Sequence, residues 1–168
     1  DADGWRGFAE VSVMAARLNP LVADGLHEAG VPVISFAPSA SARCEDGRLV
    51  HLDTRPLRAA LAHGLVPLVM GDVAIDTVRG GTIVSTEEVF AWLAAELAPS
   101  RILLAGETDG VLAGYGSDHP RVIERITPVN WLELRAGVGA SRGADVTGGM
   151  AAKVGDMLGL CQARPGLE

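Results

Sequence analysis

Apolar residues recur at helical spacing from Glu10 to Leu18, where Val11, Met14, Ala15 and Leu18 share one face. Asn19-Pro20 interrupts that pattern, though proline also fits the first turn of a continuing helix, and Leu21 to Ala29 is helical and closes at Gly30. Residues 1–9, rich in Asp, Gly and aromatic side chains, read as loop. The period then shortens. Val31 to Phe36 is a compact apolar run with Pro32 near its start, which predicts a buried strand. Pro38 to Ser41 is a turn-forming loop, and Cys44 to Asp53 predicts a small hairpin around Asp46-Gly47. Asp53 or Thr54 caps a helix that runs to His63, with Leu57, Ala60 and Leu61 on its apolar face and Gly64 beyond it.

The second half repeats the alternation. Val66 to Met70 is a strand ending at Gly71-Asp72, Arg79 to Gly81 is a turn, and Thr82 to Val84 is a short hairpin strand. Ser85-Thr-Glu-Glu88 has the capping-box pattern, with Ser85 at the N-cap and Glu88 three residues on. The helix that follows presents Val89, Trp92, Leu93 and Leu97 and stops before Pro99. Arg101 to Ala105 predicts a third central strand, beside those at 31–36 and 66–70. Residues 113–121 read as loop, Val122 to Ile126 as a short strand, and Thr127-Pro128 as a helix start. Residues 136–149 are loose and glycine-rich, and Met150 to Leu160 is helical. Strands alternating with helices predict an α/β fold with a largely parallel sheet and right-handed crossovers.

Composition narrows the function classes. The chain's 168 residues fit the size of one domain. A formal charge of −7 provides no broad basic field, which argues against a nonspecific nucleic-acid binder but not against a local phosphate site. Cys44 and Cys161 make neither a disulfide framework nor a zinc cluster and read as reduced structural thiols. His51 has no Cys or His at metal-ligand spacing and reads as structural. No secretory or membrane-spanning segment is evident, so a cytoplasmic location and no membrane partner are the expectation.

Three stretches carry candidate chemistry. Lys153 is the only lysine, and it follows Gly148-Gly149 at the start of a helix. Glycine backbone, helix N-terminus and one cation suit an anion; the alternative is a glycine turn, a helix and a surface lysine. Asp72 stands at a strand end, either lining a cleft or binding backbone amides in a turn. Asp109-Gly110 follows the 101–105 strand, as a site wall or a simple turn, and Asn19 reads from its residue type as a helix N-cap.

The stretches Gly64-Leu-Val-Pro-Leu-Val-Met-Gly-Asp72, Ile83-Val-Ser85, Glu107-Thr-Asp-Gly-Val111 and Asp145-Val-Thr-Gly-Gly-Met-Ala-Ala-Lys153 resemble, in order, motifs of isopentenyl phosphate kinases within the amino-acid kinase family. The resemblance implies a three-layer α/β/α sandwich in which residues 1–168 form one partial domain, with the acceptor side mainly 1–85 and the nucleotide side mainly 86–168. It implies ATP and Mg2+, no metal held by protein ligands alone, and phosphoryl transfer to isopentenyl phosphate, a small-molecule phosphate substrate. Glu88, Asp72 and Lys153 take the catalytic roles. Gly106, Glu107, Asp109, Gly110, Asp145, Thr147, Gly148, Gly149 and Lys153 border the nucleotide, and Asn19, Gly71, Asp72 and Ser85 lie on the acceptor side.

The departures matter. Thr86 and two glutamates follow Ser85 where relatives typically have Gly-Asp-Asp, and Gly106-Glu107 replace Thr-Asp. The lysine-bearing glycine loop, the His-Gly-Gly-Gly loop and the family's last strand and helix are not in the sequence. The chain therefore reads as truncated, and little or no kinase activity is expected of it alone. An exposed sheet edge would favour oligomerisation, in the simplest case a homodimer. A noncatalytic nucleotide-binding or sensor domain, or a kinase for another phosphate or carboxylate acceptor, is the competing reading.

Overall fold

A computed structural model describes residues 2–106, 108–138 and 149–168. The chain forms two compact units, Asp1–Ala98 and Pro99–Glu168.

In the first unit a long helix, α1 (Ala2–Glu28), leads to β1 (Val33–Ser35), the hairpin β2 (Arg43–Glu45) and β3 (Arg48–His51), and helix α2 (Arg55–Ala62). Strand β4 (Val66–Leu68), the hairpin β5 (Asp72–Asp76) and β6 (Gly80–Val84), and helix α3 (Thr86–Leu97) complete it. β1 and β4 pair in parallel, Val33 opposite Val66. A mixed sheet in the order β3-β2-β5-β6 pairs β2 with β5 in parallel and the other neighbours antiparallel. The α/β class is as expected; the sheet is mixed where a largely parallel one was predicted, because β2–β3 and β5–β6 are both tight hairpins.

The core lies on one face of the mixed sheet. Cys44, Ala74 and Val84 pack with Leu52 and Leu57 and with Val89 and Leu93 of α3. On the opposite face α1 contacts β5 and β6. A Cβ on Gly81 would fall 2.8 Å from the Phe8 ring, and one on Gly80 would fall 3.4 Å from Trp5. Trp5 and Phe8 meet edge to face at 5.4 Å.

That packing explains the first correction. Residues 2–9 are helix rather than loop, because Trp5 and Phe8 at i, i+3 dock onto glycines that leave room for rings. Pro20 sits inside α1, so the helix continues through Asn19-Pro20 instead of restarting there. Asn19 is therefore mid-helix and not an N-cap. β1 forms, but Ile34 is 39% exposed, so the strand is not buried as predicted.

The local signals behave as read. Asp46 (φ 47) and Gly47 (φ 81) make the two-residue β2–β3 turn, with both residues in the left-handed region such a turn needs. Strand β5 is a further correction. Asp72 opens this strand where it was expected to close the previous one.

The second unit holds the short antiparallel pair β7 (Leu112–Ala113) and β8 (Arg121–Val122), helix α4 (Pro128–Leu134) and helix α5 (Gly149–Ala163). Thr127 and Asn130 form a full capping box at the start of α4. No strand forms over 101–105, against expectation. Among the described residues Glu168 supplies the backbone partners there, accepting from Ile102 N at 2.7 Å and donating to Ser100 O at 3.0 Å. Leu103 is 83% exposed. β8 is likewise shorter than the strand predicted over 122–126.

Candidate functional site

In the first unit the structure brings Gly71, Asp72 and Ser85 together at the start of α3. Asp72 is opposite Val84 across the β5–β6 ladder, which puts Ser85 one residue beyond. Gly71 N donates to Thr86 Oγ1 at 3.1 Å. A Cβ on Gly71 would stand 3.0 Å from Thr86 N and 3.1 Å from Val84 O. Only glycine lets these two backbones approach so closely. Ser85 caps the helix, its Oγ accepting from Glu88 N at 3.1 Å.

Asp72 is 2% exposed. Its Oδ2 accepts from Ser39 N at 3.0 Å and its Oδ1 from Val73 N at 2.8 Å. The carboxylate thus pins the 3-10 turn Pro38–Ala40 against the start of β5. This is amide binding, one of the two roles its position suggested, and it makes Asp72 a residue that shapes the site's backbone.

Glu88 turns the other way. Its Oε1 accepts from Leu49 N at 2.8 Å and lies 4.0 Å from Arg48 Nε. The first turn of α3 is thereby fastened to strand β3. Asn19 is half-buried in the middle of α1.

Asp76, at the far end of β5, carries a denser set of contacts than the sequence suggested. It is 2% exposed. Its Oδ2 accepts from Gly47 N at 2.6 Å, and its Oδ1 accepts from Val78 N at 2.8 Å and Arg79 N at 2.7 Å. Burial pushes the carboxyl pKa up, but amide donors from Arg79, Gly47, Val78 and Asp46 outweigh it and hold the group below its ordinary value. Asp76 joins two hairpin turns and has no opening toward a ligand. Cys44 is an unpaired, fully buried thiol. Its pKa is raised by burial first and then by the charges of Glu88 and Asp76, so it stays protonated and unreactive at neutral pH.

In the second unit Gly149 is buried and enters α5 at φ 72, a conformation glycine adopts without strain. Lys153 follows on the same helix, four residues on and therefore on the same face. Gly106 and Asp109 are exposed and Gly110 half-buried, in the segment before β7. Glu107, Asp145, Thr147 and Gly148 lie outside the described residues, as does most of the glycine-rich stretch 136–149.

Sequence reasoning missed two participants. Ser39 acts through its backbone amide, which no side-chain pattern announces. Thr86 had a signal, a hydroxyl at the first helical position, but its partner Gly71 is fixed only by the β5–β6 register.

A sequence model of the amino acid kinase family matches residues 9–165. The chain belongs to the amino acid kinase family. Isopentenyl phosphate kinase of Methanothermobacter thermautotrophicus is 34% identical over 160 residues, covering 93% of this chain and 59% of that protein. Isopentenyl phosphate kinase of Haloferax volcanii is 38% identical over 156 residues, covering 92% of this chain and 60% of that protein. A solved structure described as an isopentenyl phosphate kinase aligns with a TM-score of 0.65 at 31% identity, covering 73% of this chain and 54% of that one. The chain thus spans between half and two thirds of the length of these relatives. Among the described residues no helix is long and apolar enough to cross a membrane.

Proposed function

We propose that this chain is part of an enzyme that transfers the terminal phosphoryl group of ATP to isopentenyl phosphate, giving isopentenyl diphosphate. The observation that carries the reading is the similarity to isopentenyl phosphate kinases over more than nine tenths of the chain. Such a transfer requires positioning and charge neutralisation rather than a covalent intermediate. Gly149 at the entry to a 15-residue helix, with Lys153 one turn in, suits the phosphates of ATP. Asp109 and Gly110, together with Gly106 and Glu107, would border the nucleotide, and Asp145, Thr147 and Gly148 would complete the phosphate side.

On the acceptor side, Gly71, Ser85 and Asn19 would line the cleft, with Asp72 holding the neighbouring turn. Among the described residues no group of three or more His, Cys, Asp or Glu side chains could hold a metal. Mg2+ would be carried on the nucleotide phosphates, where it neutralises charge. Glu88 keeps a charge at the start of α3, but its carboxylate is engaged by Leu49. The acid that orients cations in this reading is therefore Glu88 only after release of that bond, or its neighbour Glu87 in the same helical turn.

The deciding assay measures isopentenyl diphosphate formation from ATP, Mg2+ and isopentenyl phosphate, using this chain and the longest protein encoded with it. Turnover by the longer protein and little by the 168 residues is the expected result. Tight nucleotide binding with no turnover by either would replace the kinase with a nucleotide sensor. Nucleotide affinity should fall by about 1–3 kcal/mol in Lys153→Ala. Arg142→Ala is the comparison, and equal wild-type affinity in both variants would remove Lys153 from the phosphate site.

A further inference from the structure

The backbone amides that donate to side chains around the starts of β5 and α3 differ in what holds them. Ser39 N and Val73 N meet the Asp72 carboxylate, which is 2% exposed. Leu49 N meets the Glu88 carboxylate. Glu88 N meets the Ser85 hydroxyl inside the cap of α3, part-buried. Gly71 N meets the Thr86 hydroxyl at 3.1 Å, at an exposed position. Bonds to a carboxylate are charge-assisted, whereas one between an amide and an exposed hydroxyl is neutral and open to water. Gly71 N is thus the amide here that another acceptor takes with the least loss.

The backbone on either side of that amide is fixed. A Cβ on Gly71 would stand 3.0 Å from Thr86 N and 3.1 Å from Val84 O, both main-chain atoms that stay whatever side chain occupies position 86. Asp72, the next residue, is tied down by its two amide donors. Among the described residues the Thr86 hydroxyl is the sole hydrogen-bond partner of Gly71 N. Thr86 is itself exposed, so the place its hydroxyl fills is open to a solute.

We infer that Thr86 is a positioning residue that weakens and tunes acceptor binding by occupying Gly71 N–H, which an anionic oxygen of the acceptor must take from it. This rests on the kinase reading, in which Gly71 lies on the acceptor side. An ionised phosphate oxygen makes hydrogen bonds roughly twice as strong as a neutral hydroxyl does, so it displaces Thr86 but forfeits the bond it breaks. The net worth of such a bond corresponds to about two- to tenfold in affinity. The acceptor's own phosphate makes this contact before and during transfer, so the effect falls on KM more than on kcat.

The test compares wild type with Thr86→Ala, Thr86→Gly and Thr86→Ser in the longest protein encoded with this chain. Calorimetry measures isopentenyl phosphate affinity, initial rates give KM and kcat, and hydrogen exchange follows the Gly71 amide. Thr86→Ala and Thr86→Gly, which lack the hydroxyl, should bind isopentenyl phosphate about two- to tenfold tighter, with KM falling by the same factor and kcat moving less. Their Gly71 amide should exchange faster than in wild type. Thr86→Ser restores the hydroxyl and should return affinity and exchange to wild-type values. A merely structural Thr86 would give the opposite sign, so unchanged or weaker binding in both hydroxyl-free variants would overturn its role. Equal Gly71 exchange in wild type and Thr86→Ala would overturn the bond on which it depends. Those failures leave the kinase reading standing, whereas no isopentenyl phosphate binding by wild type or any variant would overturn both.

Discussion

Residues 1–98 and 99–168 both contain long apolar runs, but they use them differently. The first unit buries Val84 and Val89 completely, with Leu57 and Leu93 close behind. Among the described residues of the second, Val138 and Val154 are the buried large side chains, while Leu103, Leu104 and Leu132 are 83%, 68% and 69% exposed. Val66 to Leu68 becomes a strand with β1 beside it; Arg101-Ile-Leu-Leu-Ala, whose backbone partner among the described residues is Glu168, forms no ladder. Apolar character alone does not make a strand. A hydrogen-bonding neighbour and a face to cover are also needed.

The contrast breaks or holds on a pair of equal truncations. Leu93→Ala should cost about 2–5 kcal/mol of stability, whereas Leu103→Ala should stay within about 0.5 kcal/mol. Urea unfolding of the purified variants measures both, and similar losses at the two sites would erase the distinction.

Gly71→Ala comes next. The added methyl would press on the backbone of Thr86 and Val84 rather than on a movable side chain. A loss of about 1–3 kcal/mol is expected, with no comparable effect from Gly106→Ala, where the added Cβ meets nothing within 4 Å. A melting temperature unchanged by Gly71→Ala would show that the junction at α3 is looser than drawn.

Acid sharpens the picture further. Asp76 titrates below its ordinary value of 3.8 when folded, so its stabilising effect is complete above that pH and disappears as pH falls through the folded value. Asp76→Asn should therefore lower stability at neutral pH and flatten its decline below about pH 4. Parallel acid limbs in wild type and variant would contradict the amide-bound carboxylate.

Asp53 predicts the smallest change. The side-chain hydrogen bond from Arg55, aided by the Arg55 amide, lowers its pKa to about 2. Any stability it adds is present above its ordinary value of 3.8 and is lost toward pH 2. Because Arg55 is 88% exposed, high salt should remove most of the difference between wild type and Asp53→Asn. A salt-independent difference in chemical denaturation would mean that the pair acts through packing.

Much of the framework was legible because it is local. Asp46-Gly47, Gly64 and Ser85 act on neighbours within a few residues, and each did so where the side-chain pattern placed it. What escaped is nonlocal. Strand β5 is made by its register with β2 and β6, and the helical start of α1 by glycines in β6. The candidate site divides along the same line. Gly71, Asp72 and Ser85 could be chosen from motif and position, but the side chain of Glu88 was directed by an amide in β3, and Asp76 gathers its donors from two separate turns.

The seating of Trp5 and Phe8 on Gly80 and Gly81 also sets an order of events during synthesis. The helix that carries the rings is synthesised well before the surface that receives them. A chain-closing contact between such distant segments carries a loop-entropy cost that local hairpins do not. The β2–β3 hairpin can close on its own, while the two aromatic rings must wait in water, or on another apolar surface, until β6 has emerged. Docking of α1 is thus a late step in assembling the first unit, and the interval before it is the time at which a nascent chain of this kind is most open to misassociation.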